Sequence, residues 1–189
     1  MEVAMTCVVG YIDKSTSRVY IAADSAASDG DCVSIRKDGK VFAVKDMLFG
    51  FAGSYRMGQI LRYVDDIPHQ QKFQEDHEFL CTTFVDYLVE KFDDSKSLSN
   101  DNGCASLGQF LLVVAYRGML YHIDSDFQVA IEDKPYCSIG SGSSYALGAM
   151  YALEGYRIKP EKRLSIAIEA AIQNSIGVRP PIQISYLEK

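Results

Sequence analysis

The order in which apolar runs follow one another constrains this chain more than any single motif. Short runs come first, over Thr6-Cys7-Val8-Val9-Gly10, 19–25, 40–41 and 48–54, each closing on small residues. Such runs, bounded by Gly, Ser and Asp, read as strand, turn, strand, loop, strand. A helix is predicted over 54–64, with Ser54 as its N-cap and Met57, Ile60, Leu61 and Val64 at three- and four-residue spacing. Asp65-Asp66-Ile67-Pro68 ends it, because proline disfavours helical backbone in the residue before it. A second helix is predicted near 76–93, with Leu80, Phe84, Leu88 and Phe92 along one face.

Strands resume at 110–116 and 119–123, a hairpin around Arg117-Gly118, and a further pair follows at 128–131 and 136–139. Two helices at about 143–154 and 160–176 then precede a last strand at 181–186. Strands, two helices, strands, two helices and a strand are not the βα alternation of a parallel doubly wound sheet. The expected class is α+β: a four-layer αββα sandwich of two antiparallel sheets stacked face to face, with a helix pair outside each. The polar stretch 93–103 reads as a mobile surface loop inside a single domain spanning residues 1–189.

Composition narrows the function classes. The net charge is −6 with no basic run to offset it, which argues against nucleic acid as the main partner. No apolar run approaches the ~18–20 residues of a membrane span, and no basic segment followed by an apolar core opens the chain. The expectation is a cytoplasmic protein without membrane partners. Five cysteines without a CxxC pair and three scattered histidines point to reduced thiols, no metal site and no cofactor.

Four strand ends carry chemistry: Thr6, Asp24, Lys40 and the turn at Gly53. A threonine hydroxyl attacks an amide when a base takes its proton, and a lysine and a carboxylate are suitable neighbours. Each residue alone has an ordinary reading, since threonine suits a strand and Asp and Lys suit turns. Gly140-Ser141-Gly142 alone marks a strand-to-helix turn and lacks the frame of a nucleophile elbow. Cys7 is a rival nucleophile only if cleavage falls after Thr6. The joint spacing is what singles out the group.

That spacing resembles the proteasome β-subunit and HslV-like family. Ala22-Ala23-Asp24-Ser25-Ala26-Ala27-Ser28-Asp29-Gly30 looks like the family's Asp-containing segment, and Lys40-Val41 stands at the family interval from Asp24. Ala52-Gly53 and Ile139-Gly140-Ser141-Gly142 match its later small-residue turns. The resemblance implies an N-terminal-nucleophile hydrolase, a threonine peptidase. Thr6 would be the nucleophile, its freed α-amine the base, and Lys40 a cation oriented by Asp24. The Gly53 N–H would form the oxyanion hole, Ser141 would bond the amine, and Ser28 would contact substrate.

The resemblance also implies peptide or unfolded-protein substrates, a homo-oligomeric ring and an AAA+ unfoldase partner. The chain departs from the family in two ways that matter. Residues 1–5 precede Thr6, as a propeptide or a non-native start, with Met5 where self-processing members carry glycine. Gln173-Asn174-Ser175-Ile176-Gly177 lacks the family's further Asp, leaving Asn174 or Ser175 to replace it. These departures keep open a catalytically silent ring or scaffold subunit, and an amidohydrolase of small amides remains the third reading.

Overall fold

The computed structural model describes residues 5–28, 32–101 and 103–188. In chain order the first elements are β1 (Val8–Asp13), β2 (Arg18–Ala23), β3 (Ala26–Ser28), β4 (Val33–Ile35), β5 (Val41–Val44) and β6 (Met47–Ala52). Helix α1 (Tyr55–Arg62) follows, then α2 (Asp76–Phe79) and α3 (Val85–Asp94), which a π-helical turn over Leu80–Phe84 joins into one rod. Next come β7 (Ser99–Asp101), β8 (Cys104–Ser106), β9 (Leu111–Tyr116), β10 (Met119–Ile123), β11 (Val129–Ala130) and β12 (Tyr136–Ile139). Helices α4 (Ser143–Ala152) and α5 (Pro160–Asn174) and strand β13 (Gln183–Glu188) complete the chain.

Two antiparallel sheets form the centre, one in the order β12-β1-β2-β13 and one in the order β11-β10-β9-β6-β5. Alternation along each strand divides the core into three layers. Val19, Ile21 and Ala23 of β2 meet Leu48, Val113 and Ala115 between the sheets. Tyr20 and Ala22 point the other way, onto Met150, Leu164 and Ile168 of α4 and α5. On the far sheet Phe49, Phe51, Leu112 and Val114 pack against Leu61, Phe84, Leu88 and Phe92. Strands covered on both faces need apolar residues at every position, which is why they read as continuous runs. This is the αββα sandwich.

Local signals hold where they are strong. Ser54 caps α1, its Oγ accepting from the Met57 N–H at 3.3 Å. Leu80, Phe84, Leu88 and Phe92 are all fully buried. Two expectations need correction. The polar stretch 93–103 is not a structureless loop, because α3 runs to Asp94 and β7 pairs with β8. The runs at 128–131 and 136–139 are also not partners. β11 pairs with β10 in one sheet, whereas β12 crosses to the other and pairs with β1. That crossing builds the site.

Candidate active site

Strand register assembles the site at one end of the inter-sheet core. Thr6 precedes β1 and is 3% exposed. Val8 pairs with Ala23, and the Asp24 N–H donates to the Cys7 carbonyl at 3.2 Å, so Asp24 lies one residue from Thr6. On the other flank of β1, Val8 pairs with Ile139, which brings Gly140 and Ser141 to the opposite side of Thr6. There the Thr6 N–H donates to Ser141 Oγ at 3.3 Å, and the Gly142 N–H donates to the Thr6 carbonyl at 3.0 Å. Gly140 has φ +90°, and a Cβ on it would lie 2.9 Å from the Thr6 carbonyl carbon. Only glycine fits that turn.

Asp24 is fully buried and surrounded by donors. Its Oδ1 accepts from the Cys7 N–H at 3.0 Å and from Lys40 Nζ at 2.7 Å. Its Oδ2 accepts from the Ala26 N–H at 2.9 Å and the Arg179 N–H at 3.2 Å. Lys40, just before β5, is 1% exposed. Burial pulls its ammonium below the ordinary lysine range, while the Asp24 carboxylate opposes that shift. Thr6, Asp24, Lys40 and Ser141 thus gather around a single strand start. Burial pushes the Cys7 thiol up to about 12, which disfavours the thiolate that a cysteine nucleophile needs.

The other two predicted residues stand on neighbouring elements. Gly53 follows β6 with φ +100°, and a Cβ there would overlap the Gln109 carbonyl. Ser28 ends β3, half-buried and opposite Val33. Of the pair left open after α5, Ser175 faces the site, its Oγ 3.5 Å from Ser141 Oγ. Asn174 folds back instead, donating to the Ala170 carbonyl at 2.8 Å.

Arg179 is a neighbour of these candidate residues that sequence reasoning missed. Besides its N–H bond to Asp24, its Nη1 donates to the carbonyls of Ser175 at 3.2 Å and Val178 at 2.8 Å. It therefore ties the Ser175 side of Thr6 to the Asp24 side. No local pattern announced this, since the guanidinium binds backbone carbonyls, which carry no side-chain signature in the sequence.

Met5 occupies the approach to Thr6. Thr6 Oγ1 donates to the Met5 carbonyl at 2.8 Å, and the Met5 side chain fills the space where Gly177 lacks a Cβ. Residues 1–4 of the predicted extension lie outside the described residues. Among the described residues no His, Cys, Asp and Glu cluster could hold a metal ion, and no helix is long and apolar enough to cross a membrane.

Comparison with known proteins places the family and the fold. The family profile described as "Proteasome subunit" matches residues 5–176. Thiobacillus denitrificans BPH, solved in complex with epoxomicin, superposes with a TM-score of 0.80 at 21% identity, covering 97% of this chain and 98% of that one. HslV from Trypanosoma brucei gives a TM-score of 0.70 at 19% identity, covering 97% of this chain and 100% of that one. An Anbu Gly-1 mutant from Hyphomicrobium sp. strain MC1 gives 0.65 at 15% identity, over 97% of this chain and 81% of that one. No curated protein sequence matches the chain significantly.

Proposed function

The chain belongs to the proteasome subunit family, and on that premise we propose that it is a threonine endopeptidase of the proteasome and HslV kind. It acts once residues 1–5 are gone and Thr6 carries a free α-amine. An α-amine has an unperturbed pKa of roughly 7.7–8.0, so a useful fraction is neutral near pH 7.5. The amine takes the Thr6 hydroxyl proton as Oγ attacks the scissile carbonyl. Lys40, oriented by Asp24, favours the neutral amine by like-charge repulsion and stabilises developing negative charge. The Gly53 N–H receives the oxyanion. The amine then gives its proton to the leaving nitrogen, and water hydrolyses the ester on Thr6.

Ser141 holds the amine, and Ser28 bonds the substrate main chain beside the acyl residue. Substrates are peptides or unfolded proteins, delivered to a cytoplasmic homo-oligomeric ring by an AAA+ unfoldase. The observation that carries the reading is the meeting, at the start of β1, of Ser141 bonded to the Thr6 N–H and the Asp24–Lys40 pair bonded to the adjacent Cys7 N–H, from opposite flanks of the strand.

A second reading is a ring or scaffold subunit without activity. It is favoured by Met5, which is seated against Gly177 and covers Thr6 Oγ1 with its carbonyl. Intact mass of protein made from its own start site, followed by reaction with a peptide epoxyketone, separates the two. A chain starting at Thr6 that gains one inhibitor mass supports the peptidase. A chain that keeps residues 1–5 and stays unlabelled supports the scaffold.

A further inference from the structure

A cleft of about 680 Å³ opens between the β7–β8 hairpin and the first turn of α4. Gly140 forms part of its wall, and a Cβ on Gly140 would lie 3.3 Å from Thr6 Cβ. Gln109 forms another part, with its carbonyl against Gly53. Gly140 and Gln109 thus stand between this cleft and, respectively, the nucleophile and the oxyanion donor of the mechanism above, on which this inference rests.

Asn100, Asp101 and His122 are among its lining residues; Asn100 Oδ1 accepts from the Gly103 N–H at 2.9 Å and His122 stands 3.4 Å from Asp124. Ser106 Oγ donates to the Ser125 carbonyl at 3.1 Å and Ser138 Oγ to the Val8 carbonyl at 2.8 Å, so both are committed to the fold. The side chains of Ser99, Gln109, Ser125 and Ser143 also line the cleft, and among the described residues they make no hydrogen bond. Four neutral donor–acceptor groups without internal partners are suited to a polar ligand.

The chemistry says which part of a substrate lies there. On cleavage the acyl carbon stays on Thr6 Oγ, while the C–N bond breaks and the nitrogen leaves with the proton held by the Thr6 amine. The nitrogen that becomes this amine, joined here to Met5 as a peptide N–H, lies 3.3 Å from Ser141 Oγ. The departing chain must pass within a hydrogen bond of it, on the flank where Gly140, Ser141 and Ser143 stand. We propose that this cleft is the leaving-group subsite. It takes the first residues C-terminal to the scissile bond and favours hydrogen-bonding side chains there: Ser, Thr, Asn and Gln.

The test uses assembled protein with Thr6 exposed, a peptide library read by mass spectrometry, and the variants Ser143→Ala and Gln109→Leu. The unaltered enzyme should favour Ser, Thr, Asn or Gln just after the cut. Each variant should reduce that preference, relative to Ala at the same position, by about 5- to 10-fold, the worth of one hydrogen bond. A peptide epoxyketone reaches Thr6 from the acyl side alone, so its labelling rate should be unchanged in both variants. A preference that does not move overturns the subsite, as does a labelling rate that falls in step with cleavage. Labelled Thr6 together with an indifferent cleavage profile sinks the subsite and leaves the peptidase reading standing. Absence of labelling in the unaltered protein sinks both.

Discussion

Asp24 and Lys40 make an ion pair at 2.7 Å with side chains 0% and 1% exposed, and breaking it should be the most informative perturbation of this molecule. In Lys40→Met the carboxylate keeps three backbone donors, from Cys7, Ala26 and Arg179, at 2.9–3.2 Å. In Asp24→Asn the ammonium keeps no countercharge among the described residues, and the new amide NH2 faces backbone N–H groups that need an acceptor. Removing one partner of a buried pair costs about 3–5 kcal/mol. Asp24→Asn should reach the upper end of that range and Lys40→Met the lower. Against a total stability of about 5–15 kcal/mol, either loss is a large fraction. At about 2–4 °C per kcal/mol for a chain of this size, the midpoint should fall by about 6–20 °C.

The double variant Asp24→Asn/Lys40→Met carries no buried charge and should be less damaged than the sum of the two. The expected coupling is about 2–3 kcal/mol. Urea unfolding of the four proteins at one fixed protein concentration measures it, since an oligomer's midpoint depends on concentration. Additive losses, or an Asp24→Asn cost below about 1 kcal/mol, would mean that water reaches the pair and that burial does not govern it. The double variant also separates folding from chemistry. It should unfold cooperatively yet fail to react with an epoxyketone, because Lys40 no longer lowers the proton affinity of the Thr6 amine.

Three further outcomes follow from the same geometry. Burial pushes the thiols of Cys7 and Cys137 up to about 12, against 9.0 for a free thiol. Above pH 9 the unfolded chain therefore releases protons that the folded chain keeps, and stability falls as pH rises toward 12. The two thiols' share of that loss should be about 2–3 kcal/mol between pH 8 and 10, and Cys137→Ala should remove roughly half of it. Urea unfolding of the two proteins, compared at each pH, is the readout. Gly140→Ala forces a side chain into φ +90° beside the Thr6 carbonyl, which should cost about 1–3 kcal/mol and slow epoxyketone labelling more than 10-fold. Arg179→Ala keeps the N–H bond to Asp24 but releases the Ser175 and Val178 carbonyls. Peptide hydrolysis should show kcat down about 10-fold with KM within twofold, and Arg179→Lys should recover part of it. Equal kcat in Arg179→Ala and unaltered protein would remove that residue from the site.

The sequence discloses elements whose burial repeats along them. The stripe Leu80-Phe84-Leu88-Phe92 and the both-faces-buried strands β2, β6 and β9 were legible because nearly every inward position is apolar. The ribbons β3–β4 and β7–β8 were not. Their strands are three residues long, and β4 and β7 are exposed throughout, so backbone pairing defines them without a side-chain pattern. The site divides in the same way. Thr6, Asp24, Lys40 and Ser141 were found through family spacing, yet their meeting depends on β1 pairing with β2 on one side and β12 on the other. No local pattern tells β12 to leave β11 and cross to the other sheet. The segment after α5 goes one step further. Its missing acidic residue suggested a gap, but three contacts fill the position differently: Ser175 beside Ser141, the Arg179 N–H on Asp24, and the Arg179 guanidinium on the Ser175 carbonyl. A carboxylate's orienting role can be carried by backbone donors and a clamped loop. The absence of one side chain therefore weighs less against activity here than the presence of Met5 in front of Thr6.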